Sequence, residues 1–120
     1  MDLRSIRFKA KNTLDGAWVQ GDLIHKEDGK IAILRNGFNV SEVGPSTICQ
    51  FTGMKDSEGN EIWEGDIVER EIYDLYKGFV KAKAVIEYSV GAFVAMVNIA
   101  PYPLWSWKIK VVGNKFDKEK

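Results

Sequence analysis

The chain has 120 residues, which suits one domain or one domain with a small subdomain. Its 17 Lys and Arg residues balance 17 Asp and Glu residues, so the formal net charge is zero and no whole-chain basic field favours nucleic acid. The single cysteine, Cys49, excludes an internal disulfide, and no apolar run approaches the roughly 20 residues of a membrane helix. Because the first residues also lack the apolar core of a signal peptide, we expect a cytoplasmic protein without membrane contact.

The N-terminal part of the chain reads as short strands joined by glycine turns. The predicted strands lie at residues 6–11, 17–25, 31–34 and 38–40, where apolar residues alternate with polar ones or cluster between turns. Gly21 inside the second of these indicates a bulge or bend. Asn36-Gly37 is typical of a type I′ hairpin turn, whose two central positions need positive φ. These signals predict a β-meander subdomain over residues 1–45, ended by the break at Pro45.

The rest of the chain also alternates with period two. Strands are predicted at residues 47–51, from 67 onward, and at 79–89, 92–99 and 105–111. Residues 67–77 mix strand and helix spacing, and we interpret them as a strand that runs into a variable loop with one helical turn. Pro101 and Pro103 predict an irregular link. With roughly eight to ten short strands and little helix, the pattern is typical of an all-β sandwich or small barrel.

The acidic stretch between Thr52 and Val68 has two interpretations, the first of which is a cation site. Its oxygen-bearing side chains are those of Asp56, Glu58, Asn60, Glu61, Glu64 and Asp66. A Ca²⁺ loop that began at Asp56 would need glycine at its sixth position and a carboxylate at its twelfth. Glu61 and Ile67 stand there instead, so the pattern does not match a metal site.

The second interpretation is that the same residues form β-turns. Asp56 can accept N–H bonds from the backbone two residues on, Gly59 supplies positive φ, and Gly65 permits a tight corner that Asp66 ties to the backbone. We therefore predict a structural role for eight residues: Phe51, Gly53, Asp56, Gly59, Ile62, Trp63, Gly65 and Asp66.

These residues also carry a family resemblance. QFTGMKD at 50–56, followed by GNEIWEGDIV at 59–68, resembles the YopX family signature QFTGLKDKNGKEIYEGDIV. The segments IRFKAK, WVQGDLIH, VGPSTICQ and VVGN are similar as well, so the resemblance spans nearly the whole chain. It implies a phage or prophage protein of a bacterial host cell with no established activity, and it assigns no catalytic residues to this sequence. It also implies that the C-terminal half is similar to a five-stranded SH3-type barrel.

Together, the strand pattern and the resemblance predict one architecture. We expect an all-β protein in which an N-terminal β-meander, residues 1–45, packs on a C-terminal SH3-type small β-barrel, residues 46–116. The charged residues 117–120 are expected to form a frayed tail.

The chain offers little material for catalysis. His25 is the only histidine and Cys49 the only cysteine, so one chain cannot assemble a zinc site of Cys and His ligands. A nucleophilic Cys49 would need an activating base, which only His25 could supply. No glycine-rich phosphate loop is present. We therefore expect neither an enzyme nor a cofactor, a metal or a small-molecule substrate.

A basic and aromatic face is the candidate for nucleic-acid binding. The candidate contacts are Lys81, Lys83, Lys108 and Lys110. Trp105 and Trp107 are next to the last two, and small β-barrels bind single strands by stacking bases on exposed aromatic rings beside a basic groove. The alternative is that both tryptophans face the core and that the lysines only protect the sheet from aggregation.

Self-association is the other candidate function. The zero net charge does not oppose it, and the most apolar run, Ala92–Ile99, would need a cover if it formed an edge strand. We therefore predict a non-enzymatic protein-interaction or homo-oligomeric assembly module, with nucleic-acid binding as the alternative.

Overall fold

The computed structural model describes residues 6–89, 91–97, 100–103 and 109–117. The described chain is all-β, as predicted, and its one helical element is the short 3-10 turn Pro45–Thr47. Its eleven strands are β1 (Phe8–Lys11), β2 (Trp18–His25), β3 (Ile31–Arg35), β4 (Asn39–Glu42), β5 (Cys49–Lys55), β6 (Glu61–Trp63), β7 (Asp66–Asp74), β8 (Gly78–Ser89), β9 (Ala92–Val97), β10 (Ala100–Pro103) and β11 (Ile109–Asn114). No helix within the described ranges has the length and apolar character needed to cross a membrane.

The described strands form two antiparallel sheets. One has the order β4-β3-β2-β1-β5-β6 and the other the order β10-β9-β8-β7-β11, and neither closes into a barrel over the described residues. The chain divides into two compact units, of which the first ends at Phe51 and the second is Thr52–Asp117. The division falls within β5, whereas the boundary predicted at Pro45 coincides with the 3-10 turn that precedes that strand.

The first unit is a meander of β1 to β4 with the start of β5. Its core contains the buried side chains of Ala10, Val19, Ile33 and Val43. The type I′ turn predicted between β3 and β4 is confirmed, because Asn36 has φ 54° and Gly37 has φ 78°. The N–H of Phe38 donates to the carbonyl of Arg35 and closes the turn.

Gly21 lies where β2 changes partners. Residues 18–21 of β2 pair with β1, and Asp22 to His25 pair with β3. A Cβ atom at Gly21 would collide with the backbone carbonyl oxygen of Leu34 on β3. Glycine is therefore required by the close approach of two backbones at this point.

The second unit contains the larger apolar cluster. Its buried members are Ile62, Val68, Ala84, Ile86, Ala95 and Ile109. The predicted alternation along β8 is confirmed, because Ala84 and Ile86 are buried whereas Lys81, Lys83 and Glu87 are exposed. One face of the second sheet thus packs on this cluster and the opposite face carries charged residues.

The strand predicted from residue 67 is confirmed, but the loop with a helical turn that was predicted to follow it before residue 77 is wrong. β7 continues to Asp74 and pairs with β8 over eight positions, from Ile67 opposite Val85 to Asp74 opposite Gly78. The turn is closed locally, since the Asp74 carboxylate accepts the N–H groups of Tyr76 and Lys77 at 2.8 and 3.0 Å. Pairing with the following strand, β8, therefore overrides the helical spacing of this segment.

The predicted irregular link at Pro101 and Pro103 is also wrong. Both residues belong to β10, which pairs with β9 and ends the described sheet. An end strand tolerates proline because one side of its backbone has no ladder partner. As a result, β9 lies between β8 and β10 and is not an edge strand.

Candidate interaction surface

The carboxylate of Asp56 organises the turn after β5. It is buried, and its Oδ1 accepts the N–H groups of Glu58 and Asn60 at 2.9 and 2.8 Å. Its Oδ2 accepts the Asn60 side-chain amide at 3.2 Å and the N–H of Val111 on β11 at 2.9 Å. Burial by itself raises the pKa of Asp56, but the hydrogen bonds from Val111, Asn60 and Glu58 outweigh it and hold the pKa below its ordinary value.

Asp66 ties a second corner to the same final strand. It is 2% exposed, its Oδ2 accepts the N–H of the buried Trp63 at 2.8 Å, and its Oδ1 accepts the side-chain amide of Asn114 at 2.9 Å. Gly65 occupies the corner with φ 86°, and its carbonyl accepts the N–H of Lys115. Both buried acids of the stretch therefore bind groups at or near β11.

The remaining predicted motif residues have separate places. Phe51 is buried with the Arg7 guanidinium 4.4 Å from its ring centroid. Ile62 is buried in the apolar cluster of the second unit. Gly53 and Gly59 have φ 84° and 85°, and a Cβ at either would meet nothing within 4 Å. Glycine is therefore favoured there by backbone conformation and not by lack of space.

The other acids and the candidate nucleophile do not form a reactive cluster. Over the ranges that the structure describes, no group of three or more His, Cys, Asp or Glu side chains could hold a metal ion. The carboxylate of Glu58 lies 3.4 Å from the ammonium group of Lys110. His25 is exposed, whereas Cys49 is buried and its thiol donates to the carbonyl of Thr47 at 3.4 Å.

Three of the four predicted nucleic-acid contacts are brought together. Lys83 and Lys110 are both opposite Glu69, from the two strands that flank β7, and Lys81 is opposite Glu71. Directly opposed residues of antiparallel strands share a face, so these five side chains lie on one surface. The three lysines are exposed. The structure thus places an acid directly across from every lysine of this set.

The fourth predicted contact, Lys108, lies outside the described residues, as do Trp105 and Trp107. The glutamates of the face were missed because residues 67–77 were interpreted as entering a loop. Their alternation, Glu69 then Glu71, is visible in the sequence, but only the register of β7 with β8 shows that they face lysines.

The same face ends in aromatic and aliphatic side chains at the β7–β8 turn. Tyr73 is opposite Phe79, with ring centroids 5.2 Å apart and edge-to-face geometry. Phe79 is 71% exposed, and in the turn Leu75 and Tyr76 are 86% and 97% exposed. We call these four residues the hairpin tip. An open groove of ≈ 420 Å³ lies on this part of the unit, with Phe79 and Lys81 among its lining residues.

The match to a known protein family covers the strands of both sheets. The model of the YopX protein family matches residues 7–118, a range that contains every strand from β1 to β11. The chain belongs to the YopX family. The resemblance noted from the acidic stretch is therefore confirmed. Comparison with curated proteins finds no match.

Proposed function

We propose that this YopX protein is a non-enzymatic protein-interaction or assembly module, and that the hairpin tip is its contact surface. The observation that carries the proposal is the exposure of Tyr73, Leu75, Tyr76 and Phe79 at one end of the β7–β8 hairpin. Folded monomers seldom leave several large apolar side chains together in water, and such patches usually mark interaction sites. Aromatic rings are also the side chains that contribute most at protein interfaces.

The use of the buried acids supports a role other than catalysis. Asp56 and Asp66 accept hydrogen bonds from backbone and amide groups that fix two corners of the fold. A general acid or base instead needs a carboxyl group that can reach a substrate proton. Their geometry therefore favours a structural role for the acidic stretch.

Nucleic-acid binding is the alternative, and one observation favours it: Lys81, Lys83 and Lys110 share an exposed face. The opposed Glu69 and Glu71 would repel phosphates at the same place. We expect no saturable binding of a single-stranded oligonucleotide at micromolar protein and low salt in a fluorescence anisotropy titration. Binding that weakens steeply as salt rises would favour the alternative.

We also propose that the second unit is an SH3-type barrel, and that the protein is of phage or prophage origin and acts in the cytoplasm of a bacterial host. The antiparallel five-stranded sheet β10-β9-β8-β7-β11 supports the barrel, because SH3-type barrels are built from five short strands. An experimental structure of the full chain would test closure directly, since a barrel requires hydrogen bonds between its first and last strands.

A photo-crosslinking experiment tests the interaction surface. A crosslinking amino acid is placed at Tyr76, with Leu14 of the first unit as the matched control because it is apolar and 96% exposed. In cells that express the chain at its native level, we expect adducts of discrete mass from position 76 and none from position 14. The absence of adducts at 76, or the same adducts from both positions, would contradict the proposal.

Fold integrity is checked in the same variants. Because the side chain of Tyr76 is almost entirely in water, its replacement should leave the free energy of unfolding unchanged within about 0.5 kcal/mol. An absence of adducts from position 76 then shows that no partner contacts this surface and does not reflect unfolding.

A further inference from the structure

The exposed face of the β7–β8 hairpin separates its charges by sign. The β7 strand carries Glu69 and Glu71, and the β8 strand carries Lys83 and Lys81 directly opposite them. Two residues further along, the acid column ends in Tyr73 and the basic column in Phe79. We call these six residues the charged ribbon. It has two parallel columns, one negative and one positive, and each ends in an aromatic ring.

The spacing of the ribbon follows from sheet geometry. Successive members of one column are two residues apart, or about 6.6–6.8 Å along the strand, and the columns are about 4.5–5.5 Å apart. A half-turn about an axis parallel to the strands, placed above the face and midway between the columns, exchanges the columns. A second copy related by this rotation presents its basic column to the acid column of the first.

Every row of the ribbon gains a complementary partner under this operation. Glu69 of one copy meets Lys83 of the other, Glu71 meets Lys81, and Tyr73 meets Phe79. Because the operation is two-fold, each of these contacts forms twice, as in any isologous interface. The register along the strands is preserved, so one placement of the axis satisfies all rows together.

Other classes of partner match only half of the ribbon. A polyanion would be attracted by Lys81 and Lys83 but repelled by the adjacent acid column, and a basic surface would meet the converse repulsion. Lys110 does not disturb the balance, since its ammonium group lies 3.4 Å from the carboxylate of Glu58. The zero net charge of the chain also removes long-range repulsion between copies.

We infer that the chain forms a two-fold homodimer in which the charged ribbons of two copies pack face to face, with the aromatic rows at one end. The inference rests on the proposed function, since the charged ribbon shares Tyr73 and Phe79 with the hairpin tip and the inference assigns a partner to it. The interface is small and four of the six ribbon residues are charged, so it forms a reversible dimer whose affinity is sensitive to salt.

Sedimentation equilibrium from micromolar to millimolar protein tests the dimer. The wild type should show a reversible monomer–dimer equilibrium whose dissociation constant rises with salt. Two variants reverse one column each: Glu69→Lys with Glu71→Lys gives an all-basic ribbon, and Lys81→Glu with Lys83→Glu gives an all-acidic ribbon. Each should raise the dissociation constant by about tenfold or more, because like charges then face each other.

Two combinations of these variants distinguish the two-column geometry from an effect of net charge alone. An equimolar mixture of the all-basic and all-acidic variants should form a heterodimer. The fourfold variant that exchanges the columns should regain self-association, since the half-turn still places acids opposite bases. Where a charge-reversed variant fails to fold by circular dichroism, Glu69→Gln with Glu71→Gln serves instead and should raise the dissociation constant several-fold.

The outcomes separate this inference from the proposal on which it rests. A wild type that stays monomeric at millimolar concentration, or an all-basic variant that dimerises like the wild type, overturns the dimer. If Tyr76 then crosslinks to a different protein, the interaction module stands without the dimer. If no adduct forms, both proposals are wrong.

Discussion

Replacing Asp56 by alanine tests whether the acidic stretch is structural. The substitution removes a carboxylate that accepts four hydrogen bonds, two on each oxygen. Three of the donors belong to Glu58 and Asn60 in the turn itself. The fourth is the N–H of Val111, 55 positions further along the chain, so the change also removes one of the hydrogen bonds that tie the turn to β11.

The expected cost follows from the positions of the donors. The donors of Glu58 and Asn60 lie in an exposed turn, where water replaces much of what is lost, so each contributes at most about 0.5–1 kcal/mol. Val111 is half-buried, and an N–H left without its charged acceptor there costs about 1–3 kcal/mol. We therefore expect Asp56→Ala to lower the free energy of unfolding by about 3 kcal/mol.

Urea unfolding followed by tryptophan fluorescence measures this cost, and we expect the midpoint to fall by roughly 1–2 M. Asp28→Ala is the matched control, because Asp28 caps a similar turn of the first unit with one bond, to the N–H of Lys30 at 2.9 Å. The control should lose about 1 kcal/mol or less. If the two variants lose the same amount, the anchoring of β11 by Asp56 is refuted.

Three further predictions concern the same fold. Burial raises the pKa of Asp56, but its hydrogen bonds outweigh burial and hold the folded pKa below the ordinary 3.8. The wild type should therefore lose stability as the pH falls from 3.8 through the lower pKa of the folded state. The difference in free energy of unfolding between the wild type and Asp56→Asn, measured by urea titration, should shrink over that pH window and stay constant above it. Gly21→Ala should cost about 2 kcal/mol or more and lower the thermal midpoint by roughly 10 °C, because its Cβ meets the carbonyl oxygen of Leu34. Asn114→Ala should cost about 1–3 kcal/mol by removing a donor from the buried Asp66, and hydrogen exchange should then accelerate along β11.

The parts of the fold that sequence reasoning predicted correctly are specified by neighbouring residues. Asn36-Gly37 forms its turn because both residues tolerate positive φ, whatever the rest of the chain does. The alternation along β8 determines which side chains enter the core, since successive residues of a strand point to opposite faces. The all-β class follows from the repetition of such local signals.

The parts that were wrong depend on pairing between strands. Residues 69–74 have mixed local preferences, and they form a strand because β8 supplies ladder partners to all of them and β11 to Glu69 and Arg70. β10 contains two prolines and is stable only at the end of a sheet. Neither register nor edge position can be read from a single segment.

The candidate surface was only partly predictable, because the register between its strands cannot be read from the sequence. The lysines of β8 and β11 are predicted from alternation alone. That the lysines face glutamates is a property of the register between β7 and its neighbours. Once the register is known, the lysines of this face are seen to lie opposite acids, which weakens the argument for the nucleic-acid alternative.

The acidic motif and the charged ribbon are linked through one strand. Asp56 and Asp66 bind groups of Val111 and Asn114 on β11, and β11 pairs with β7, which carries the acid column of the ribbon. Asp56 and Asp66 therefore support the strand that pairs with β7, without contributing a side chain to the proposed contact surface. Substitutions in the motif should weaken association only as far as they weaken folding, whereas substitutions at the hairpin tip should weaken association in a fully folded chain. Measuring stability and association on the same variants would separate these two roles.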